Sequence, residues 1–304
     1  MPSSHPRQLA FSQNFLTNRR LVDRLLDASG IGPDDTVYDI GAGSGIITER
    51  LARRCRHVVA IEQDERLAAL LYRRFGRLPS VTVRHADVLR VPLPRTPYKV
   101  FANIPFTITT AIVSGLVTAS NPPDDCHLVM QREAAARFAG TPRESLYAVL
   151  MKPWFEPSVT HYFRRADFAP APSVEVVMLR LRKRGPPLVD HAEARLYRDL
   201  VTYCFTAWRP SLRHTLRGIF TARQLSRVES VLALDPRATP AEVSFGQWLH
   251  LFHEFERVAT PRMRAVVAGA ARRMERQQEG LRKVHQTRVR RQVQQNHHRS
   301  TRST

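Results

Sequence analysis

Four residues at the end of a predicted strand, Asn103-Ile104-Pro105-Phe106, have the types and spacing needed to modify the exocyclic amine of a base. The lone pair of the adenine amine is delocalised into the ring. Two hydrogen-bond acceptors on its N–H groups would make the nitrogen more tetrahedral and stabilise the positive charge that develops on methylation. The Asn103 side-chain oxygen and the Ile104 carbonyl can be these acceptors. Pro105 would stiffen the loop, and Phe106 offers a face for a flipped base. The alternative is an ordinary strand-end turn.

A glycine-rich loop, DIGAGSG at positions 39–45, follows the first strand of the predicted sheet. Glycines allow a tight turn and the close approach of a ligand, and open α/β sheets bind ligands at the carboxyl ends of their strands. The spacing matches neither the dinucleotide fingerprint nor a phosphate-binding P-loop. Asp39, Gly41 and Gly43 are therefore candidate cofactor contacts, with a purely structural turn as the alternative.

Two further acidic residues stand at the ends of the next strands. Glu62 lies 21 residues after Gly41, where a carboxylate can accept both hydroxyl groups of a ribose. Asp87 follows the third strand and could accept a hydrogen bond from an adenine amino group. Either acid alone could be a helix cap, but the three acids at successive strand ends favour an adenosine-bearing cofactor without a pyrophosphate. S-adenosylmethionine fits that description.

The elements that must position these residues alternate between strand and helix up to about position 150. This alternation predicts an α/β fold with a Rossmann-like, doubly wound parallel sheet. Two late strands with little room for a helix between them predict an antiparallel hairpin at the sheet edge. Beyond Gly185 the apolar spacing becomes helical and predicts a small all-α domain. The predicted strands are 36–40, 57–62, 81–86, 98–103, 126–131, 159–165 and 174–182, and the late helices are 192–206, 209–220, 222–232 and 240–257.

The sequence accordingly divides into a catalytic domain at 1–184, a helical RNA-binding domain at 185–258 and a tail at 259–304. The chain has 47 Lys+Arg and 27 Asp+Glu, a net charge of +20, which indicates a polyanionic partner such as nucleic acid. The last segment is basic and poor in large apolar residues, and we expect it to be disordered. Its role is left open.

Several classes of protein are excluded by what the sequence lacks. No run of eighteen apolar residues is present, so a transmembrane helix is not expected. The segment 1–12 has no apolar core of a signal peptide. Cys55, Cys126 and Cys204 are odd in number and far apart, as expected for reduced thiols in a cytoplasmic protein without a zinc site.

These motifs occur in one order together with SQNFL at 12–16 and FAPAPSV at 168–174. Over about residues 8–258 the chain resembles the ribosomal RNA adenine N6-dimethyltransferases. The resemblance implies that Phe106 and Phe168 sandwich the target base and that Asn103 lies near the methyl group and the target amine. It implies cofactor contacts at Gln13, Asn14, Leu16, Gly41, Glu62 and Asp87.

Within this family the chain resembles the Erm branch, which methylates one adenine in the peptidyl-transferase loop of 23S rRNA and confers macrolide, lincosamide and streptogramin B resistance. The resemblance is carried by NIPFTITT at 103–110 and QWLHLF at 247–252. The small-subunit branch usually carries Leu after the Asn, Tyr at the fourth position and a Gln-Arg-Arg-Lys run, where this chain has TAWRPSLR at 206–213. Asn-Pro-Pro-Asp at 121–124 resembles the Asn-Pro-Pro-Tyr form of the motif, but it follows a helix and lacks an aromatic residue, so it is interpreted as a loop.

The resemblance implies a monomeric enzyme that acts on 23S rRNA before ribosome assembly is complete, with no membrane and no metal. Three alternatives stay open. The first is a 16S rRNA dimethyladenosine transferase, the second a DNA adenine methyltransferase, and the third a non-catalytic RNA-binding factor on the same fold.

Overall fold

The computed structural model describes residues 14–277. The chain forms two compact units that divide after Leu188. The boundary expected from the sequence, after residue 184, lies four positions earlier. Segments 1–13 and 278–304 lie outside the described residues, and with them the expected cofactor contact at Gln13 and most of the expected tail.

Over the described residues, seven strands of the first unit form one sheet in the order β4-β3-β2-β5-β6-β9-β7. Strands β2 to β6 are parallel to one another. Strand β9 is antiparallel to β6, and β7 is antiparallel to β9. The strands are β1 Phe15–Leu16, β2 Thr36–Ile40, β3 His57–Glu62, β4 Val81–His85, β5 Lys99–Asn103, β6 Asp125–Gln131, β7 Phe155–Tyr162, β8 Phe168–Ala169 and β9 Val176–Lys183.

The predicted doubly wound sheet with an antiparallel edge hairpin is confirmed. Its first edge strand, expected at 159–165, lies at Phe155–Tyr162 instead. The helices of this unit pack on the sheet, and α6 was not expected from the sequence. The helices are α1 Arg19–Asp27, α2 Ile46–Leu51, α3 Glu65–Phe75, α4 Thr109–Val117, α5 Arg132–Ala139 and α6 Leu146–Met151.

A separate two-stranded sheet joins the beginning of the described chain to the segment before β9. Strands β1 and β8 are antiparallel, with Leu16 opposite Phe168. The Thr17 N–H donates to the Asp167 carbonyl at 2.9 Å, and the Asn18 amide donates to the Asp167 carboxylate at 3.1 Å. Two segments that the sequence analysis singled out separately are therefore held together.

The second unit is helical, as expected, but its second helix is much shorter than the predicted 209–220. The preceding loop explains the short helix: Trp208 has a positive φ of 48°, and Pro210 follows it. Ser244 caps α10 by accepting from the Gln247 N–H. The helices are α7 Ala194–Thr206, α8 Leu212–Leu216, α9 Ala222–Leu232, α10 Phe245–Val258 and α11 Pro261–Val267.

The expectation of a disordered tail from residue 259 is wrong for its first part. Residues 261–277 are largely helical, and Met263 and Val267 of α11 are buried. The buried Asp199 carboxylate accepts from the N–H groups of Gly269 and Ala271 at 2.9 and 3.0 Å. Burial of apolar side chains and these hydrogen bonds to a charged group offset the chain entropy.

No helix within residues 14–277 is long and apolar enough to cross a bilayer. No group of three His, Cys, Asp or Glu side chains in this part of the chain is arranged to hold a metal ion. The three cysteines, Cys55, Cys126 and Cys204, are free and buried.

Candidate active site

A cavity of about 690 Å³ opens at the carboxyl ends of the parallel strands of the first unit. Strands β2 and β5 are neighbours in the sheet although they are not consecutive in the chain, and this reversal of strand order is where open α/β sheets form a crevice. The lining comes from five segments: residues 14–15, Gly41, residues 61–67, Ala86 with Val88, and residues 103–108.

The glycine loop between β2 and α2 contributes Gly41 to the cavity wall, and its backbone is left-handed at Gly41, Gly43 and Gly45. Gly41 has φ +72°, and a Cβ there would lie 3.2 Å from Pro105 Cδ. Gly43 has φ +56°, and a Cβ there would lie 2.8 Å from Phe15 Cε1. The left-handed backbone and the lack of space both exclude a side chain, so the loop can approach its neighbours and a ligand closely.

Glu62, at the end of β3, is buried and lines the cavity as expected. Its Oε2 accepts from the Gly43 N–H at 2.8 Å, and its Oε1 accepts from the N–H groups of Gln63 and Asp64 at 2.8 and 2.9 Å. Oε1 thus accepts two hydrogen bonds and Oε2 only one, which leaves Oε2 with a second lone pair. The side chain is therefore held in place by main-chain donors and keeps acceptor capacity for hydroxyl groups in the cavity.

Asp39 lies beneath the glycine loop and is absent from the cavity lining. Its Oδ2 accepts from Thr48 Oγ1 at 2.6 Å, whereas Oδ1 is buried without a partner among the described residues. Burial, with a smaller contribution from the Glu62 charge, raises the pKa of Asp39 to about 7 against an opposing effect of the Thr48 hydrogen bond. In this structure Asp39 supports the loop rather than contacting the cavity.

Asp87 stands beside the cavity between two of its lining residues, Ala86 and Val88. Its Oδ1 accepts from the Leu89 N–H at 3.0 Å, and its Oδ2 lies 3.7 Å from Arg90 Nε. The carboxylate thus caps the short helical turn that follows β4. A helix cap was the alternative to an adenine contact in the sequence analysis.

The opposite wall carries the tetrapeptide from Asn103 to Phe106, and all four residues line the cavity. Asn103 Nδ2 donates to the Asn14 carbonyl at 2.8 Å, which fixes the orientation of the amide. Asn103 Oδ1 is buried and has no hydrogen-bond partner among the described residues. The Ile104 N–H donates to the Val129 carbonyl at 3.3 Å. The structure therefore leaves an acceptor at the end of β5 unpaired.

Phe106 and Phe168, expected to sandwich a base, are not brought together in the cavity. Phe106 is half-buried, packs against the core on one side and lines the cavity. Phe168 is 4% exposed and makes an edge-to-face contact with Phe163 at 5.4 Å between ring centroids. As part of β8 it faces Leu16 in the core, so the structure offers no free face of its ring.

Of the expected contacts in the N-terminal motif, Asn14 lines the cavity and Leu16 does not. Leu16 is 3% exposed and belongs to the core, whereas Phe15 lines the cavity and was missed. Successive residues of a strand point to opposite faces, so the burial of Leu16 places Phe15 on the cavity side. The hydrophobic letters alone did not say which of the two faces inward.

Sequence reasoning also missed the contribution of the segments that follow β3 and β5. Residues 63–67 at the start of α3, together with Thr107 and Ile108, line the cavity. Their signal was their position directly after the strand-end motifs. Asn121, by contrast, donates from Nδ2 to the carbonyls of Pro94 and Thr96, both at 2.9 Å, and fixes a loop outside the cavity lining.

The residues present fit S-adenosylmethionine. Gly41 lines the cavity with a left-handed backbone and little room for a Cβ, and the fixed Glu62 carboxylate keeps acceptor capacity for a ribose. Gly43, the other expected glycine contact, lies outside the lining and holds Glu62 through its N–H. The unpaired Asn103 Oδ1 is a buried acceptor of the kind that a bound donor would satisfy. Among the described lining residues, no Lys and no glycine-lysine pair is present that would favour a nucleotide polyphosphate.

Comparison with known proteins gave consistent matches along the chain. The profile of the ribosomal RNA adenine dimethylase family matches residues 5–257. An rRNA methyltransferase of Streptomyces thermotolerans is 34% identical over 82% of this chain and 83% of its own length. An rRNA adenine N-6-methyltransferase of Bacillus licheniformis is 30% identical over 79% and 84%. Ribosomal RNA small subunit methyltransferase A of Streptococcus pneumoniae strain D39 is 31% identical over 74% and 82%.

Solved structures give the same result for the fold. The crystal structure of the 23S rRNA methyltransferase ErmE matches with a TM-score of 0.73 and 31% identity, covering 80% of this chain and all of that chain. A dimethyladenosine transferase from Plasmodium falciparum matches with a TM-score of 0.65 over 80% of this chain and 98% of its own, at 19% identity, a likeness of fold.

Proposed function

Because the chain belongs to the ribosomal RNA adenine dimethylase family, we propose that it methylates the N6 amine of one adenine in 23S rRNA and confers resistance to macrolides, lincosamides and streptogramin B. Its family membership makes the chain an S-adenosylmethionine-dependent rRNA adenine N6-methyltransferase. The likeness to ErmE supports 23S rRNA as the substrate. So do Ile104 and Phe106, where the small-subunit branch usually has Leu and Tyr.

The unpaired Asn103 Oδ1 is the observation that carries the proposed chemistry. Since its amide nitrogen is held by the Asn14 carbonyl, the oxygen is the amide atom left without a partner. Accepting a hydrogen bond from the N6 amine would shift the nitrogen toward tetrahedral geometry and stabilise its developing positive charge. The Ile104 carbonyl is the second acceptor that we assign to this amine.

S-adenosylmethionine, when bound, supplies a methyl group on a sulfonium centre. Glu62 and the glycine loop would hold its ribose and methionine parts, and Asp87 would be its adenine contact. Phe106 would stack on the target base after the base leaves the helix of the RNA. The N6 nitrogen forms its bond to carbon before it loses a proton, so the site needs no strong general base.

A 16S rRNA substrate is the second candidate, and it is favoured by the identity to the small-subunit methyltransferase A of S. pneumoniae.

We propose that a single copy of the chain acts, and that it meets 23S rRNA before the large subunit is complete. Protein-free rRNA is therefore the appropriate substrate for the test.

The test is methyl transfer from labelled S-adenosylmethionine to protein-free 23S and 16S rRNA in parallel reactions. We expect incorporation into 23S rRNA, with N6-methylated adenosine recovered from the digested RNA. Incorporation into 16S rRNA alone would reject the 23S assignment and select the second candidate. Binding of both RNAs without methylation of either would reject the enzymatic role that we propose.

A further inference from the structure

Trp208, in the loop between α7 and α8, is 99% exposed. The other two tryptophans of the chain, Trp154 and Trp248, are 7% and 0% exposed. A tryptophan usually buries much of its large apolar surface, so a free indole needs an explanation. No packing inside the described part of the chain supplies one.

The backbone at Trp208 adds a second observation. Its φ of 48° lies in the left-handed region, which bulky side chains rarely adopt. The loop is anchored at both ends: the Phe205 ring stacks on Trp248 at 5.3 Å, and the Leu212 N–H donates to the Ala238 carbonyl at 2.9 Å. The indole is therefore presented to solvent by a fixed loop in a strained conformation, a combination that indicates a function.

The charge around this loop is strongly one-sided. Residues 200–228 contain five arginines and no aspartate or glutamate. Arg209 directly follows Trp208, and Arg217 ends α8; both are exposed and form no ion pair with another described residue. Arg213, four positions before Arg217 and on the same side of the helix, pairs with Glu229 at 2.8 Å. An exposed aromatic ring followed in the same loop and helix by two arginines without an ion pair matches the chemistry of unpaired nucleotides.

We propose that Trp208 is a stacking platform for one unpaired base of the rRNA substrate, and that Arg209 and Arg217 contact phosphates next to that base. The proposal rests on the proposed rRNA methyltransferase function and adds a contact in the second unit, separate from the cavity of the first. The charge argues for RNA over a protein partner, because a protein interface would leave these guanidinium groups to be paired or desolvated. The sequence departs here from the Gln-Arg-Arg-Lys run of the small-subunit branch, which has no ring to stack.

Three substitutions at position 208 separate stacking from other roles. We expect Trp208→Ala to raise the Kd for protein-free 23S rRNA roughly 5- to 100-fold, the loss of one stacked base. Trp208→Phe keeps an aromatic face and should stay within about threefold of the wild type. Trp208→Leu keeps apolar bulk without that face and should behave like Ala. Val231→Ala, which truncates another exposed apolar side chain of the same unit, is the matched control and should change nothing.

The salt dependence of binding distinguishes the ring from the arginines. Trp208→Ala removes no charge and should leave the slope of log K against log salt unchanged. Arg217→Ala should reduce that slope by about 0.9, one phosphate contact. In turnover with rRNA, Trp208→Ala should raise KM for the RNA with little change in kcat or in KM for S-adenosylmethionine.

Tryptophan fluorescence gives a direct readout on the unmodified protein. Because Trp154 and Trp248 are buried, acrylamide should quench mainly Trp208, and 23S rRNA should protect it from the quencher. Unchanged quenching in the complex, wild-type affinity of Trp208→Ala, or wild-type affinity of Trp208→Leu would overturn the proposal. So would dimerisation of the RNA-free protein that Trp208→Ala abolishes, since the ring would then belong to an interface between copies.

The tests of the proposed function and of Trp208 give separate results, because RNA binding is measured without the cofactor. If 16S rather than 23S rRNA is methylated, the same series with 16S rRNA judges Trp208. If 23S rRNA is methylated while Trp208→Ala binds it normally, the stacking platform is rejected and the proposed function stands.

Discussion

Among the described residues with a left-handed backbone, Gly43 and Trp208 adopt that conformation for opposite reasons. In the glycine loop of the first unit, Gly43 has φ +56° and a Cβ would lie 2.8 Å from the Phe15 ring. In the loop before α8, Trp208 has φ 48° and its side chain is 99% exposed. Packing forbids a side chain at the first position, whereas no packing among the described residues accounts for the large one at the second. Substitutions near the cavity should therefore change folding and chemistry, and substitution of Trp208 should change binding.

The largest effect is expected from removing the unpaired acceptor in the cavity wall. Asn103→Ala should lower kcat about 10²- to 10³-fold, as for other preorganised groups that stabilise developing charge. Asn121→Ala, whose amide fixes a loop outside the cavity lining, is the matched control and should keep kcat. Methyl transfer to 23S rRNA at saturating cofactor measures both variants. Full activity of Asn103→Ala would contradict the assigned role.

Next in size is the loss of stability expected for Gly43→Ala. The left-handed backbone and the contact with Phe15 together should cost about 3 kcal/mol and weaken cofactor binding. Gly115→Ala is the control, because Gly115 lies in α4 with no heavy atom within 4 Å of a built Cβ and should become more stable by up to about 1 kcal/mol. Urea unfolding and calorimetry with S-adenosylmethionine measure the pair. Equal behaviour of the two variants would break the contrast between the loops.

A pH dependence is expected beneath the same loop. The folded-state pKa of Asp39 is raised to about 7, so between about pH 4 and 7 the folded state binds more protons than the unfolded chain. The stabilisation from protonated Asp39 is therefore complete below about pH 4 and is lost as the pH rises through 7. Relative to Asp39→Asn, the wild type should lose at most about 1.4 kcal/mol per pH unit in this window.

Urea unfolding of both proteins at pH 5, 6, 7 and 8 gives this difference. Asp34→Asn, at an exposed position, is the control and should follow the wild type. A constant difference between wild type and Asp39→Asn across the window would show that Asp39 is charged throughout.

The smallest effect is on stability at the exposed loop. Trp208→Gly removes a bulky residue from a left-handed position at the cost of chain entropy, and should gain about 0.5 kcal/mol or lose nothing. The same variant should bind rRNA more weakly, so stability and affinity would move in opposite directions. A loss above about 1 kcal/mol in urea unfolding would mean that Trp208 supports the fold.

The sequence predicted the sheet well because buried parallel strands are continuous apolar runs, and these are local patterns. Asn103, Gly41 and Glu62 line one cavity because strand ends in such a sheet converge by topology. Because an unpaired buried polar atom is costly, the buried Glu62 carboxylate accepts hydrogen bonds from main-chain N–H groups.

The remaining errors come from pairings that no local pattern shows. The burial of Phe168 and Leu16 depends on β1 meeting β8, which lie about 150 residues apart and have two residues each. Asp39 was expected at the cavity, but its hydrogen bond to Thr48 turns the carboxylate beneath the loop. The folded segment 261–277 is hydrogen-bonded to Asp199, a buried acid on α7. The sequence of α7 alone does not show whether this carboxylate is buried or exposed to solvent.

We propose that one adenine of 23S rRNA is methylated in the cavity of the first unit. Primer extension on protein-free 23S rRNA treated with the enzyme and S-adenosylmethionine tests it most directly. Asn103→Ala is the control, at a reaction time too short for the slowed variant to modify most of the RNA. A dimethylated N6 amine has no N–H left for base pairing, so we expect one arrest, one nucleotide before a single adenine in the peptidyl-transferase loop, which is absent with the variant. Arrest on 16S rRNA instead, arrest at many adenines, or an arrest that persists with Asn103→Ala would contradict it.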